Sequence, residues 1–223
     1  MKPLPVTLLV VAKAPVAGLA KTRLAAAVGP AAAADIAAAA LLDTLDAVAA
    51  AQVAARVVAM TGDLDKARAA DEIRERLRAF TVIPQRGESL ADRLANAHID
   101  AAEAAGPMAV LQIGMDTPQV TTALLTRCAE MLLRATAVLG MAPDGGWWVL
   151  GVRSAQTADV LRGVPMSRAD TGALTFAALT NRGIDVTLVD ELRDVDTVDD
   201  VAVVRGAGAA DSRFARVTRA VGV

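Results

Sequence analysis

Short stretches of aliphatic and β-branched residues recur along the chain, and a segment with a helical pattern follows each of them. Alternation of this kind predicts a mostly parallel sheet with helices on both faces. We therefore expect an α/β fold with three layers. The strand and helix pairs are Val6–Val11 with Pro30–Ala50, Val53–Ala59 with Leu64–Arg78, Phe80–Pro84 with Ser89–Ala104, and Met108–Ile113 with Thr121–Leu133.

The alternation changes after Ala135. Two apolar runs, Ala135–Gly140 and Trp147–Val152, are separated only by the six residues Met-Ala-Pro-Asp-Gly-Gly. Because no helix fits between them, the second run cannot return parallel to the first. The spacing predicts a small antiparallel addition to the sheet.

The last part of the chain returns to helices and a strand. A helical stretch is predicted over Ala169–Arg182 and a strand over Asp185–Val189, and Thr197 then resembles a helix N-cap with Asp200 at the capping-box position. The final segment 206–223 is predicted to be a short helix packed on the body or a partly mobile tail. No linker divides the sequence, so we expect a single domain over residues 1–223.

Composition excludes several classes of protein. The chain has 223 residues, 54% of them hydrophobic and 22% charged, which is typical of a globular protein. Its net charge of −2 gives no general attraction to nucleic acid or to an anionic membrane. Asp35 and Asp43 interrupt the longest alanine-rich stretch, so no membrane span is predicted and we expect a cytoplasmic protein. The single cysteine, Cys128, and the single histidine, His98, are expected to be structural and make a zinc site implausible.

The first strand leads into a cationic loop. The strand ends at Lys13, a loop containing Gly18 follows, and Lys21 and Arg23 precede the alanine-rich segment. In parallel sheets ligands bind at this end of the strands, where backbone N–H groups and cations favour phosphate. A P-loop requires glycine immediately before the lysine, but Ala20 stands there, and no dinucleotide fingerprint is present. The loop is predicted to bind a polyphosphate; the alternative is a solvated surface loop.

Acidic residues follow two other predicted strands. Asp116 comes directly after the strand that ends near Ile113. Asp194 and Asp196 are two positions apart and follow the predicted strand Asp185–Val189. Extended residues two apart point the same way, and carboxylates beside substrate phosphates are typical Mg²⁺ ligands. We therefore expect Mg²⁺, or Mn²⁺ in its place, at these three carboxylates. The alternative is that Asp116 and Asp196 only cap helices.

Four motifs resemble a known family. They occur in the order Ala-Lys-Ala-Pro-Val-Ala-Gly-Leu-Ala-Lys-Thr-Arg-Leu, Gly-Met-Asp-Thr-Pro, Pro-Asp-Gly-Gly-Trp-Trp-Val-Leu-Gly and Leu-Arg-Asp-Val-Asp-Thr. The sequence resembles the DUF2064 family, also called the radical-SAM/selenodomain-associated transferase family, which is similar to the nucleotide-diphospho-sugar transferase (glycosyltransferase-A) superfamily. More distantly it resembles the phospholactate and phosphoenolpyruvate guanylyltransferases. The resemblance implies a Rossmann-like transferase fold.

The resemblance also implies roles for single residues. Lys21 and Arg23 would hold nucleotide phosphates, Asp116 and Asp196 would bind Mg²⁺, and Asp194 would assist as a metal or substrate ligand. Lys21, Arg23 and Asp116 form the expected catalytic set. Two departures from the family pattern, Met115 and Trp147, leave these residues in place but change side chains near the acceptor.

Further residues are assigned to substrate binding. The nucleotide side is expected to include Ala12, Lys13, Gly18, Arg86 and Asn96 in addition to Lys21 and Arg23. The loop Asp144, Gly145, Gly146 and Trp147 is expected to bind the acceptor, because glycines allow close approach and an aromatic ring can stack on a sugar. A tight turn beside a tryptophan in the core is the alternative.

Three functions stay open from the sequence. The first is nucleotidyl transfer from a nucleoside triphosphate with release of pyrophosphate, which the two loop cations favour. The second is glycosyl transfer from a nucleotide sugar, and the third is a non-catalytic nucleotide-binding module. In each case the expected partners are a nucleotide or nucleotide sugar and, for the transferases, a small-molecule acceptor. Association as a homodimer is compatible with the sequence.

Overall fold

A computed structural model describes residues 2–223 and contains one seven-stranded sheet. The strand order is β3-β2-β1-β4-β6-β5-β7. The strands are β1 (Leu4–Lys13), β2 (Val53–Thr61), β3 (Thr81–Pro84), β4 (Ala109–Gly114), β5 (Ala137–Met141), β6 (Trp147–Val152) and β7 (Val186–Val189). The helices are α1 (Thr22–Val28), α2 (Pro30–Ala49), α3 (Ala70–Leu77), α4 (Leu90–Ala105), α5 (Thr122–Leu132), α6 (Thr171–Thr180), α7 (Val198–Ala207) and α8 (Arg213–Val221).

One strand of the sheet runs against all the others. β1 pairs in parallel with β2 and β4, and β5 pairs in parallel with β7, whereas β6 is antiparallel to both β4 and β5. This confirms the expected mostly parallel sheet with a small antiparallel addition. Because β6 is reversed, its first residue, Trp147, pairs with Met141 at the end of β5. The start of β6 therefore lies at the same edge as the ends of the parallel strands.

Helices cover both faces of the sheet, as the alternating pattern predicts. Adjacent residues of a strand point to opposite faces. On β1, Leu8 packs with Leu41 of α2, whereas Leu9 packs with Ala97 and Ala101 of α4. The sheet thus lies between a layer that includes α2 and α5 and a layer that includes α4 and α6. Helix α8 in the C-terminal segment packs against α2 and buries Phe214 there.

Two segments differ from the sequence prediction. The single helix expected over Leu64–Arg78 is wrong, because only a 3₁₀ turn, Leu64–Lys66, precedes α3. Ala69 adopts a left-handed conformation with φ of 53°, which interrupts the helical backbone before α3 begins. A second 3₁₀ segment, Ala155–Gly163, lies against α4 and was not predicted.

Several predicted helix starts are confirmed. The Ser89 side chain accepts a hydrogen bond from the Asp92 N–H, and Asp92 completes a capping box at the start of α4. At α7 the backbone N–H and the hydroxyl of Thr197 both donate to Asp200 Oδ2 at 2.8 Å, which fixes the turn that follows Asp196. The local sequence therefore sets where the helices beside the acidic segment begin.

Candidate active site

A cleft of about 830 Å³ opens at the edge of the sheet where the parallel strands end. Lys13 at the end of β1, Asp116 after β4 and Trp147 at the start of β6 line it. Asp194 and Asp196, from the segment between β7 and α7, complete the acidic side of the wall. The topology thus brings together the cationic loop and all three acidic residues that the sequence placed at strand ends.

Lys21 lies at the centre of the charged part of this cleft. Its ammonium Nζ is 2.9 Å from Asp116 Oδ2 and 3.0 Å from Asp196 Oδ1, and its side chain is 8% exposed. Burial alone would lower the pKa of Lys21, but the two carboxylates outweigh burial and raise it above its ordinary value. Lys21 is therefore a buried, charged group, and the alternative of a solvated surface lysine does not describe it.

The backbone at Lys21 is as unusual as its side chain. Lys21 is the N-cap of α1 and has φ of 49° and ψ of 51°, a left-handed conformation that is costly for a residue with a Cβ atom. Arg23, two residues on, is mostly exposed and its Nη1 lies 3.5 Å from Asp196 Oδ2. The loop and the first turn of α1 thus deliver one buried and one exposed cation to the same carboxylate.

The two acidic segments are joined through the backbone. The N–H of Val195 donates a hydrogen bond of 3.0 Å to the carbonyl oxygen of Asp116. Val195 itself is buried, so its neighbours Asp194 and Asp196 are held on the cleft side of that contact. Asp116 Oδ1 is buried without a hydrogen-bond partner among residues 2–223. The carboxylates are consequently fixed in position, and one oxygen remains unused.

Asp144 joins Asp194 and Asp196, which the sequence did not predict. One carboxylate oxygen from each of these three residues lies within 4.8 Å of the other two. Burial, followed by the negative charges of Asp196 and Asp144, raises the pKa of Asp194 to about 6. Asp116 is not in this group, because the Lys21 ammonium stands between it and Asp196. Carboxylates so close together could hold a divalent cation.

The loop carrying Asp144 is held by glycines. Asp144 Oδ1 accepts a hydrogen bond of 2.8 Å from the Gly146 N–H, and Gly145 has φ of 88°. A Cβ atom at Gly145 would lie 1.8 Å from the carbonyl oxygen of Ala169, and the Gly172 N–H donates to the Gly145 carbonyl at 2.7 Å. The loop is therefore clamped against the start of α6, and Asp144 has a fixed position.

The two tryptophans point to opposite sides of β6. Trp147 lines the cleft, whereas Trp148 is 3% exposed and its Nε1 donates to the Asp190 carbonyl at 2.9 Å. Met115, the other departure from the family pattern, also lines the cleft, and its sulfur accepts a hydrogen bond from the Lys13 N–H at 3.2 Å. Trp147 and Met115 thus give the cleft an apolar surface beside its charges.

Other predicted binding residues lie away from this cleft. Arg86 pairs with Asp100 at 2.6 Å, and Asn96 bonds the Arg86 carbonyl at 2.8 Å and the Arg162 guanidinium at 2.6 Å. Within the described part of the chain, the cleft wall does not include Arg86, Asn96, Ala12, Gly18 or Gly145. Roles for these five residues stay predictions. Two other cleft residues, Gln112 and Arg168, were missed by the sequence analysis.

A mostly parallel sheet with a cleft at its carboxyl edge is a Rossmann-like α/β fold, and it is the fold of a candidate nucleotide-diphospho-sugar transferase. Residues 44–168 match the family model DUF2064, described as "Uncharacterized protein conserved in bacteria". The match spans more than half of the chain, and the chain belongs to this family. None of the curated proteins matches the sequence.

Solved structures share the fold over almost the whole chain. A candidate nucleotide-diphospho-sugar transferase from Desulfovibrio desulfuricans G20 is 25% identical, with a TM-score of 0.83 over 97% of this chain and 94% of that one. A CMP:2-keto-3-deoxy-manno-octonic acid synthetase complexed with CTP is 13% identical, with a TM-score of 0.56 over 90% and 97%. Rv0371c from Mycobacterium tuberculosis H37Rv, in complex with manganese, is 21% identical, with a TM-score of 0.54 over 90% and 97%. The last two show likeness of fold alone.

These comparisons confirm the expected family and fold, and the structural relatives include a nucleotidyl transferase and a cytidylyltransferase. They agree with the expectation that the chain is a transferase. None of the helices in residues 2–223 combines the length and the apolar character needed to cross a bilayer.

Proposed function

We propose that the chain is a metal-dependent nucleotidyltransferase that takes a nucleoside triphosphate as donor and releases pyrophosphate. The observation that carries the proposal is the meeting of Lys21 and Arg23 with Asp116 and Asp196 in one cleft at the carboxyl edge of the sheet. A fold relative that binds CTP supports a triphosphate donor. The nucleotide and metal roles predicted from the sequence are retained in this proposal.

Lys21 can bind phosphate without giving up its carboxylates. An ammonium group has three N–H donors, and the two carboxylate contacts use two of them. The third donor can take an oxygen of the β- or γ-phosphate, and the exposed guanidinium of Arg23 can take another. Because both cations lie where the first loop passes into α1, they would neutralise charge that builds on the departing pyrophosphate.

The acidic group fits a divalent cation. Asp144, Asp194 and Asp196 place carboxylate oxygens within 4.8 Å of one another, and their mutual repulsion contributes to the raised pKa of Asp194. A Mg²⁺ or Mn²⁺ ion would relieve this repulsion, and a fold relative has been solved with manganese. When bound, the ion would supply charge neutralisation at the phosphates. Asp116 holds the Lys21 ammonium through Oδ2, and its unpaired Oδ1 is retained as a further ligand atom.

The proposed reaction is a single displacement. An anionic oxygen of a phosphate or carboxylate on the acceptor forms a bond to the α-phosphorus, the bond from that phosphorus to the α,β-bridging oxygen breaks, and pyrophosphate leaves with the electron pair. Lys21 and Arg23 orient the leaving group. The fixed loop that carries Asp144 and Trp147 stands beside the acceptor.

Glycosyl transfer from a nucleotide sugar is the second candidate. The observation that favours it is Trp147, whose ring lines the cleft and could stack on a sugar face. The D. desulfuricans relative is also described as a candidate nucleotide-diphospho-sugar transferase. The buried position of Lys21 beside two carboxylates leads us to prefer the triphosphate, since a diphosphate leaving group requires fewer cations.

The experiment offers the purified protein each nucleoside triphosphate and each common nucleotide sugar, with Mg²⁺, with Mn²⁺ and with chelator. Ligands that bind the folded state raise the melting temperature by mass action. A triphosphate that protects only with metal, followed by pyrophosphate release with an acceptor, is the expected result. Protection by nucleotide sugars alone, or release of nucleoside diphosphate, would establish the glycosyltransferase. Metal-dependent binding without turnover over a broad acceptor panel would favour the non-catalytic module.

A further inference from the structure

The cleft extends beneath α4 to a buried amide. Gln112 is 1% exposed, yet it lines the cleft, and its Oε1 has no hydrogen-bond partner within residues 2–223. Its register neighbours Leu9 on β1 and Leu150 on β6 both lie in the apolar clusters on the α4 side of the sheet. An amide end without a hydrogen-bond partner is costly in such surroundings, so each end of the Gln112 amide requires a partner.

His98 on α4 does not account for the whole Gln112 amide. The His98 ring is fully buried, burial lowers its pKa to about 3, and the nearby Gln112 amide opposes that change. A side-chain amide has two hydrogen-bonding ends, an oxygen and an NH₂ group. The neutral His98 ring can engage one end only, so the other end is left for a group inside the cleft.

The walls around Gln112 are apolar. Val11 from β1, Leu94 from α4, Trp147 from β6 and Met166 from the loop before α6 all line the cleft. A wall of this kind accepts a small carbon skeleton and excludes water from the polar group beneath it. Gln112 is therefore placed to select a hydroxyl or amide on that skeleton, because an unsatisfied partner would be costly in a dry site.

Arg168 supplies a cation on the α6 side of the cleft. Of the four lysines and arginines in the described cleft wall, it is the one outside residues 13–23, which run from the end of β1 to the first turn of α1. Thr171 holds its backbone: the Thr171 hydroxyl accepts from the Arg168 N–H at 3.1 Å and donates to the Pro165 carbonyl at 2.9 Å. Asp170 binds the Nε and Nη2 of Arg168 at 2.9 and 3.1 Å. Asp170 thus holds the Arg168 guanidinium from one side, and Nη1 remains available to bind a ligand.

We propose that Gln112 and Arg168 form the subsite for the second substrate, a small organic anion that carries both a hydroxyl or amide group and a phosphate or carboxylate. The carbon skeleton lies between Leu94, Trp147 and Met166, the Gln112 amide bonds the neutral polar group, and Arg168 binds the anionic group. The proposal rests on the proposed function, because it gives the acceptor its place and chemical class. A cation is needed there because the carboxylates in the same cleft repel an anionic acceptor.

The test uses glycerol 3-phosphate and mandelate as anionic probes, with glycerol and mandelamide as their uncharged counterparts. Binding to the whole chain is measured by ligand-observed NMR titration, in the presence of Mg²⁺ and a non-hydrolysable nucleoside triphosphate. We expect at least one anionic probe to bind at least tenfold more tightly than its uncharged counterpart. Arg168→Gln should weaken that probe about tenfold or more, since charge-assisted hydrogen bonds are among the strong ones.

Two further variants should change the affinity for the anionic probe in opposite directions. Asp170→Asn removes the carboxylate that competes for the guanidinium, so the anionic probe should bind severalfold more tightly. Gln112→Met keeps the size of the side chain but removes the amide, so the same probe should bind severalfold more weakly. Arg78→Gln is the matched control, because Arg78 is an exposed arginine paired with a nearby carboxylate on α3, away from the cleft. Arg78→Gln should leave the binding of every probe unchanged.

The outcomes separate this proposal from the proposed function. If the nucleotide binds to the wild type and to all variants, but no anionic probe binds or Arg168→Gln has no effect on binding, the subsite is overturned and the nucleotide site stands. If the nucleotide itself fails to bind the wild type, the proposed function is refuted. Equal binding of charged and uncharged probes would also overturn the subsite.

Discussion

Replacing Asp194 with asparagine should make the protein more stable at neutral pH. Burial and the neighbouring carboxylates Asp196 and Asp144 raise the pKa of Asp194 from 3.8 to about 6. The folded state therefore holds a proton more tightly than the unfolded state, and ionising Asp194 at pH 7 costs folding free energy. Asparagine has nearly the same shape and no charge, so Asp194→Asn removes that cost.

The size of the gain follows from the pKa difference. At 1.36 kcal/mol per pKa unit, the change to about 6 corresponds to about 3 kcal/mol. Asp194 is partly exposed, and screening by solvent reduces the effect to about 1.5 kcal/mol. In a protein of this length each kcal/mol moves the melting temperature by about 2–4 °C, so Asp194→Asn should melt about 3–6 °C higher.

The same linkage between proton binding and folding fixes how the stability gain of Asp194→Asn changes with pH. Below about pH 3.8 both states are protonated and the variant gains nothing; the gain grows as the pH rises from 4 to 6 and is complete above about 6.5. Thermal unfolding of both proteins at matched pH values measures this difference. The exposed Asp211→Asn is the control and should show no such profile. A lower melting temperature for Asp194→Asn at pH 7, or a gain independent of pH, would refute the reasoning.

Three further predictions concern the donor, the metal and the fixed loop. Lys21→Ala should weaken triphosphate binding about tenfold or more in calorimetry at fixed salt, whereas the exposed Lys66→Ala should leave it unchanged; equal affinities would contradict the phosphate role. Asp196→Asn should remove Mg²⁺-dependent protection from melting while circular dichroism stays native, and retained protection would exclude Asp196 as a ligand. Gly145→Ala should lower stability by about 2–4 kcal/mol in urea unfolding, because its Cβ would lie 1.8 Å from the Ala169 carbonyl oxygen and its φ is positive; an unchanged midpoint would show that the loop can move.

The fold could be predicted from sequence because its signals are local. The buried strands are mostly apolar runs, and capping residues such as Ser89 and Thr197 stand where α4 and α7 begin. The meeting of Lys21 with Asp116 was also accessible, since parallel strands end at one edge of the sheet. The break at Ala69 could not be predicted, because alanine is not a residue type that favours a left-handed backbone.

The rest of the site depends on strand order, which the sequence does not state. Asp144 reaches Asp194 because β5 pairs with β7, a contact between segments about fifty residues apart, so sequence reasoning assigned Asp144 to the acceptor alone. Gln112 did carry a signal, as the one polar residue in the apolar run Ala-Val-Leu-Gln-Ile-Gly. Arg168 carried none, because its place in the cleft follows from the packing of the loop before α6 against Gly145.

The charges of the cleft make nucleotide binding depend on a divalent cation. Four carboxylates face four cations in its wall, so the formal charges cancel: Asp116, Asp144, Asp194 and Asp196 against Lys13, Lys21, Arg23 and Arg168. A nucleoside triphosphate brings about four negative charges into a cleft that has no net positive charge to offset them, and a bound divalent ion removes about half of that excess. We therefore expect a chelator to abolish protection of the protein by the triphosphate, and high salt to weaken protection only partly. Full protection in the presence of chelator would show that Lys21 and Arg23 suffice to bind the triphosphate. The carboxylates would then hold the Lys21 ammonium rather than a metal.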